Sequence, residues 1–228
     1  MIRLINVNKS YCEANQQRII YQDVSLDINS GETVALIGRS GSGKSTLLNL
    51  ISGIDLPDSG QICIFDEIIN ELTEERRTLL RRQSMGFVFQ FFNLIPTLTV
   101  QENLYLPLEL NNKLSAHYKT QARQWLSQVG LATRANQYPD KLSGGEQQRI
   151  AILRALVHEP MILLADEPTG NLDRETGRHV LELMQTLIQQ QGKTLVLATH
   201  SMEVAQIADR VLTVHDGRLS AAQTTDIL

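Results

Sequence analysis

Hydrophobic and polar positions alternate at the start of the chain. Ile2, Leu4, Ile5 and Val7, and later Val24, Leu26 and Ile28, read as strands, and the polar piece Cys12–Arg18 between them reads as a loop. Ser30-Gly31-Glu32 is a turn, followed by the short apolar run Thr33–Ile37, the pattern of a strand buried on both faces. A Gly/Ser-rich stretch leads into a helix over Thr46–Ser52. Gln61–Phe65 reads as a strand, Thr73–Arg82 as a charged helix, and Gly86–Phe89 as a strand ending at Gln90. From about residue 97 to 158 the period becomes helical, with breaks expected at Pro107, Asn111-Asn112 and Tyr138-Pro139. Met161–Ala165 and Thr194–Thr199 are buried strands, Arg174–Gln191 and Met202–Ala208 helices, and Val211–Val214 with Arg218-Leu219 a hairpin around Asp216-Gly217. Strands alternating with helices at both ends of a helical block predict an α/β core with an inserted helical lobe and antiparallel strands near the N-terminus. The expected division is a core of about 1–90 and 158–228 with a helical subdomain of about 91–157.

Composition narrows this picture by exclusion. The 228 residues carry 42% apolar and 20% charged side chains, which suits a folded domain. The net charge of −4 shows no basic stripe for nucleic acid, and none is expected as a partner; the densest cluster, Arg76, Arg77, Arg81 and Arg82, sits beside Glu74 and Glu75 as a solvated helix face would. Cys12 and Cys63 could make one bridge, but the expectation is two free thiols in a reducing cytosol. No signal peptide is visible and no apolar run approaches the ~18–20 residues of a membrane span. Work at a membrane would therefore need a partner that crosses it.

Gly38-Arg39-Ser40-Gly41-Ser42-Gly43-Lys44-Ser45 fits the phosphate-loop pattern G-x-x-x-x-G-K-[ST], placed between a buried-type strand and a helix as the mechanism requires. Glycines let successive N–H groups turn inward around an anion, Lys44 adds charge near the β- and γ-phosphates, the Ser45 hydroxyl suits Mg²⁺, and the helix start faces the anion. The strand Met161–Ala165 ends in Asp166-Glu167, two carboxylates at a strand tip: Asp166 for Mg²⁺, Glu167 to orient or deprotonate water. Ser143 with Glu146 three residues on reads as a capping box, and Gly144 and Gly145 leave the first helical N–H groups bare.

Leu142-Ser143-Gly144-Gly145-Glu146-Gln147-Gln148-Arg149 resembles the signature motif of ATP-binding cassette (ABC) ATPases. With the phosphate loop and the acidic pair in the same order, the resemblance covers essentially the whole chain. It implies a P-loop NTPase (RecA-like) core with an N-terminal antiparallel β subdomain and an inserted α-helical subdomain, and ATP with Mg²⁺ as cofactors. It also implies roles for single residues. Tyr11 resembles the aromatic that stacks on adenine, against the alternative of a strand-flanking core tyrosine. Gly38 to Ser45 and Thr46 would hold the phosphates, with Mg²⁺ on Ser45, Gln90 and Asp166. Gln90, Lys44, Glu167 and His200 would act in hydrolysis. Ser143, Gly144, Gly145 and Glu146 would meet ATP on a partner chain, and Asn171 and Asp173 resemble the loop that crosses to that chain. His117, His158, His179 and His215 match nothing and are expected to be structural or exposed.

Phe87–Asn103 and Asp166–Asp173 resemble one branch: ATPases of lipoprotein-releasing systems, macrolide exporters and glycolipid exporters, with the cell-division ABC ATPase as a relative. The resemblance implies a homodimer, or a heterodimer with a related ATPase, on the cytoplasmic face of the bacterial inner membrane. It also implies a permease partner with a large extracytoplasmic domain. The expected work is export or extraction of a lipoprotein, lipid or drug-like substrate, and the alternative is a mechanotransmission or cell-division-type ATPase that controls a membrane partner without transport. The apolar cluster Phe91, Phe92, Leu94 and Ile95 could dock a partner helix or form lobe core. A DNA-repair or translation ATPase would need a long coiled coil or a second cassette, and neither is present.

Overall fold

The computed structural model describes residues 1–13 and 16–221. In chain order the elements are β1 (Ile2–Glu13), β2 (Gln16–Ile28), β3 (Thr33–Ile37), α1 (Lys44–Ile51), β4 (Ser59–Ile64), β5 (Glu67–Ile68), α2 (Glu74–Ser84), β6 (Met85–Val88), α3 (Val100–Leu110), α4 (Ala116–Gln128), α5 (Gly144–Leu156), β7 (Ile162–Asp166), α6 (Arg174–Gln191), β8 (Thr194–Thr199), α7 (Met202–Ala205), β9 (Arg210–His215) and β10 (Arg218–Ala221). They form two compact units, one from Met1–Arg81 with the stretch from Thr194 onward, the other from Arg82–Lys193.

In the first unit, β1 pairs antiparallel with β2 and with β4, and β5 completes the order β2-β1-β4-β5. The register sets Ile2 opposite Ile28 and Leu4 opposite Leu26, then shifts before Val7 opposite Val24. Asn6 and Asp23 take left-handed backbone at this irregularity, a conformation short polar residues tolerate. Asn8 ties it together: its amide donates to Asn6 O at 3.0 Å and Asp23 Oδ1 at 3.1 Å. The expected loop Cys12–Arg18 is instead strand, since β1 runs to Glu13 and β2 starts at Gln16; residues 14–15 of that reading lie outside the described residues. Gln16–Ile19 are all exposed, so no buried face wrote a strand period into the sequence.

The same unit holds the parallel core. β3 lies between β8 and β9, with Ile37 beside Thr199 on one side and Thr213 on the other. Val34, Ala35 and Leu36 are fully buried, and complete burial of a Val or Leu side chain contributes about 1.5–3 kcal/mol. The expected hairpin is present: β9 and β10 pair with His215 opposite Arg218, and Asp216 and Gly217 both take positive φ, as a two-residue turn requires. The expected helix 202–208 is only the single turn of α7.

In the second unit, β6 and β7 pair in parallel, Met85 with Ile162 through Val88 with Ala165. α5 crosses β6 so closely that a Cβ on Gly86 would lie 2.2 Å from Ala155 O. The break expected at Pro107 is absent. Pro107 falls in the last turn of α3, where one helical hydrogen bond is lost, and both the N–H and Nδ2 of Asn111 return to its carbonyl. Asn112, with φ 55°, then stops the chain from continuing as helix. α6 runs over the expected residues from an Asp173 cap to Gly192, whose left-handed φ of 59° closes it. Cys12 and Cys63 are both free.

Candidate functional site

The first unit builds the phosphate loop. Gly38 leaves the end of β3, and the loop closes with Ser42 N donating to Arg39 O at 3.1 Å. Lys44 is 7% exposed, and its Nζ donates to Gly38 O at 2.8 Å and Arg39 O at 3.2 Å, so the ammonium is folded over its own loop. Gly43 caps α1 at φ 110°, and a Cβ there would meet Ile20 Cγ2 at 2.7 Å. Behind it, the Tyr21 hydroxyl donates to Gly43 O at 2.8 Å, and burial pushes that phenol's pKa up. Arg18 Nη2 donates to Gly41 O at 2.8 Å. No side chain caps α1, and Ser45 is exposed at its first turn. The loop is thus anchored from behind by β2 and presents bare helix-start amides outward.

His200 follows β8 as Gly38 follows β3. Because Ile37 and Thr199 are register partners in parallel strands, both residues emerge at the same carboxyl edge. Ser201 N donates to Thr199 Oγ1 at 3.0 Å, and Ser201 caps α7. Tyr11 lies on β1, half-buried. Its hydroxyl donates to Asp55 Oδ2 at 2.6 Å, and Lys9 Nζ stands 4.9 Å from the centre of its ring.

The second unit carries the other candidates. Val88 and Ala165 are register partners, so the residues leaving β6 (Phe89, Gln90) and β7 (Asp166, Glu167) again share one carboxyl edge. Glu167 has φ 46°, a left-handed backbone that costs a non-glycine residue about 1–3 kcal/mol, and its carbonyl accepts from Gly170 N at 3.0 Å. Asn171 Nδ2 donates to Gln90 O at 2.8 Å, and Gln90 Nε2 faces Asn171 Oδ1 at 3.4 Å. Asp173 caps α6 through Thr176 N at 3.0 Å, and that hydrogen bond holds its carboxyl below the usual range.

The capping box at Ser143 forms as read. Ser143 Oγ accepts from Glu146 N at 3.3 Å and Glu146 Oε2 accepts from Ser143 N at 2.8 Å. The Glu146 carboxyl is held below its ordinary range by that backbone N–H, with Arg134 Nε 3.4 Å away. Its carboxylate is therefore engaged within the chain. A Cβ on Gly145 would come within 2.3 Å of Thr176 Cγ2.

Several supports escaped the sequence reading. Tyr21 and Ile20 back the phosphate loop, Lys9 and Asp55 hold Tyr11, and α5 fastens the segment after Gln90. Arg154 donates to Asn93 O at 2.6 Å and Phe92 O at 3.1 Å, and the fully buried Gln148 reaches Phe89 O at 3.4 Å. Of the apolar cluster in that segment, Phe91 is 70% exposed, while Phe92, Leu94 and Ile95 are half-buried.

A glycine loop with a buried lysine at a strand-to-helix turn, and a buried strand ending in paired carboxylates, define a phosphate-loop nucleoside triphosphatase. The profile of the ABC transporter family matches residues 21–170. An uncharacterized ABC transporter ATP-binding protein of Mycobacterium tuberculosis is 52% identical over 97% of this chain and 90% of its own length. The lipoprotein-releasing system ATP-binding protein LolD of Xanthomonas oryzae pv. oryzae is 45% identical over 96% and 90%. Two solved structures of the MJ0796 cassette superpose on the chain. The dimeric form does so with TM-score 0.87 at 42% identity, covering 96% of this chain and 97% of the other. The dimeric post-hydrolysis state bound to ADP and Pi gives 0.88 at 40%, covering 98% of each. The chain belongs to the ABC transporter family and is an ABC ATPase. Among the described residues no helix is long and apolar enough to cross a membrane.

Proposed function

We propose that the protein is the ATP-hydrolysing subunit of a transporter that extracts or exports a lipoprotein or lipid, acting as a homodimer that closes around two ATP molecules. The observation that carries the dimer is the start of α5. Ser143 spends its hydroxyl on the capping box, yet the first turn keeps two glycines and no further cap, a helix end suited to an anion from outside the chain. Two structures of the MJ0796 cassette, similar over nearly the whole chain, are described as dimeric.

In this reading the phosphate loop binds the triphosphate through its amides and Lys44, and Tyr11 takes the base. Glu167 holds the attacking water and accepts its proton, Gln90 orients that water, and His200 donates to the γ-phosphate. The Ser45 hydroxyl, the Gln90 amide oxygen and the Asp166 carboxylate are hard oxygen donors that fit Mg²⁺. Among the described residues no group of three or more His, Cys, Asp or Glu could hold a metal. When bound, the ion offsets charge on the phosphoryl oxygens. Loss of the γ-phosphate removes the anion that Ser143, Gly144 and Gly145 of a second copy would share, so hydrolysis opens the dimer.

The likeness to an ATP-binding protein of a lipoprotein-releasing system supports a membrane partner; a permease with an extracytoplasmic domain, and a place at the cytoplasmic face of the bacterial inner membrane, are what the motif resemblance implies. The exposed Phe91, on a segment braced by Arg154 and Gln148, supports docking of that partner beside Gln90. Purification of the Glu167→Gln protein from its native membranes with ATP tests this. A co-purifying permease with a large extracytoplasmic domain is expected; recovery of soluble proteins alone would overturn the membrane assignment.

A further inference from the structure

We propose that Lys9 and Asp55 are positioning residues for nucleotide binding: together they hold the Tyr11 ring so that a single face is open to the base. The proposal rests on the reading of Tyr11 as the base contact. Asp55 lies in the loop that follows α1, and Lys9 lies two residues before Tyr11 on β1, on the same side of the strand.

Three contacts close on one another. The Tyr11 hydroxyl donates to Asp55 Oδ2 at 2.6 Å, Lys9 Nζ donates to Asp55 Oδ1 at 2.7 Å, and the same ammonium stands 4.9 Å from the centre of the Tyr11 ring. The bond to Asp55 fixes the far end of the phenol, and the ammonium covers one ring face. A flat heteroaromatic base is left the opposite face, on a ring that a cation already polarises.

The clamp is itself held. Lys9 is 8% exposed and donates also to Leu56 O at 2.8 Å, while Asp55 Oδ1 accepts from Leu56 N at 2.7 Å and Asp55 N donates to Asn49 O at 3.2 Å. Burial pushes the Asp55 carboxyl up, but hydrogen bonds from Lys9, Tyr11 and Leu56 outweigh it and keep it below the ordinary range, so it is an anion at neutral pH. The Thr46 hydroxyl is turned to the same phenol oxygen. Thr46 and Asn49 are residues of α1, the helix that starts at Lys44. The base-stacking ring is thereby referenced to the helix that receives the phosphates, through Lys9 and Asp55, which lie outside the phosphate loop and are assigned neither stacking nor phosphate binding.

The test measures Kd for ATP and for inorganic tripolyphosphate, which has no base, by calorimetry. It uses the full chain and the variants Lys9→Met, Asp55→Asn and Tyr11→Phe, each also combined with Tyr11→Ala where applicable. Loss of a cation–π contact or of one charge-assisted hydrogen bond corresponds to about a three- to tenfold change. The expected result is ATP binding weakened by that factor in all three variants, tripolyphosphate binding within about twofold, and no further loss when Lys9→Met or Asp55→Asn is added to Tyr11→Ala. Equal weakening of both ligands, or the same loss in the Tyr11→Ala background, would overturn the proposal. So would an effect of Tyr11→Ala with none of Lys9→Met. Tyr11→Ala that leaves ATP binding unchanged would instead overturn the base-contact reading itself. Thermal unfolding identifies a variant that fails to fold, and Tyr11→Phe, which removes only the hydroxyl, keeps the question open to refutation in that event.

Discussion

Asn171 and Gln90 hold each other across the second unit: Asn171 donates to the Gln90 carbonyl at 2.8 Å while the two side-chain amides face each other at 3.4 Å. The glutamine that leaves β6 is thus tied to the residue two positions before the cap of α6. In the proposed mechanism Gln90 orients water, so its partner sets its aim. Asn171→Ala is expected to lower kcat for ATP about tenfold, the equivalent of one hydrogen bond of about 1.4 kcal/mol in the transition state, with a smaller change in KM. Steady-state hydrolysis measures both; an unchanged kcat would detach Asn171 from the reaction.

Gly43 combines φ 110° with a space already occupied by Ile20 Cγ2, 2.7 Å from where a Cβ would stand. Gly43→Ala should therefore strain the loop by about 1–3 kcal/mol and reshape the amides meant for phosphate. The expected outcome is at least a tenfold loss of ATP affinity with a lowered Tm. Retained affinity would show that the loop tolerates a different backbone.

Ser143→Ala removes the cap at the start of α5. N-cap loss costs about 1 kcal/mol, which in a chain of this size lowers Tm by about 2–4 °C. If Ser143 also meets ATP on a second copy, hydrolysis should fall about a hundredfold or more, far beyond what the stability loss explains. Calorimetry and turnover on the same sample separate the two roles.

His158, which the sequence left without a function, is 4% exposed, and its Nε2 lies 3.1 Å from Met85 O at the start of β6. Burial, reinforced by Lys113 and Lys193, lowers its pKa from 6.5 to about 4. The unfolded chain binds a proton there that the folded chain refuses. This contribution is therefore fully present above pH 6.5 and is lost as the pH falls from 6.5 toward 4, by up to about 3 kcal/mol. Urea unfolding at pH 7 and pH 4.5 should show a smaller pH loss in His158→Gln than in the parent. Equal losses would place the acid sensitivity elsewhere.

The contiguous motifs were legible because each brings its whole mechanism within a few residues. The Gly38–Ser45 loop, the Asp166-Glu167 tip, the Ser143–Glu146 box and the Asp216-Gly217 turn need no distant partner to be read. What the sequence hid is long-range or unpatterned. Tyr21 backs Gly43 from 22 positions away, Asp55 reaches Tyr11 across 44, and Arg154 braces Phe92 across 62. Nothing local distinguishes those side chains from ordinary polar or aromatic residues. Gln16–Arg18 read as loop because a strand end exposed on both faces carries no alternation, and Pro107 reads as a break because its position in the last turn of α3 depends on where the helix stops.

Sedimentation velocity of the Glu167→Gln protein with ATP, with ADP and without nucleotide decides whether ATP closes a dimer that hydrolysis opens. Glu167→Gln keeps the shape of the side chain and removes its capacity to accept a proton. A dimer with ATP and a monomer with ADP or without nucleotide is expected, with loss of the dimer when Ser143→Arg is added. A Glu167→Gln protein that binds ATP and stays monomeric at saturating concentrations, or one that turns ATP over at the parent rate, would contradict it.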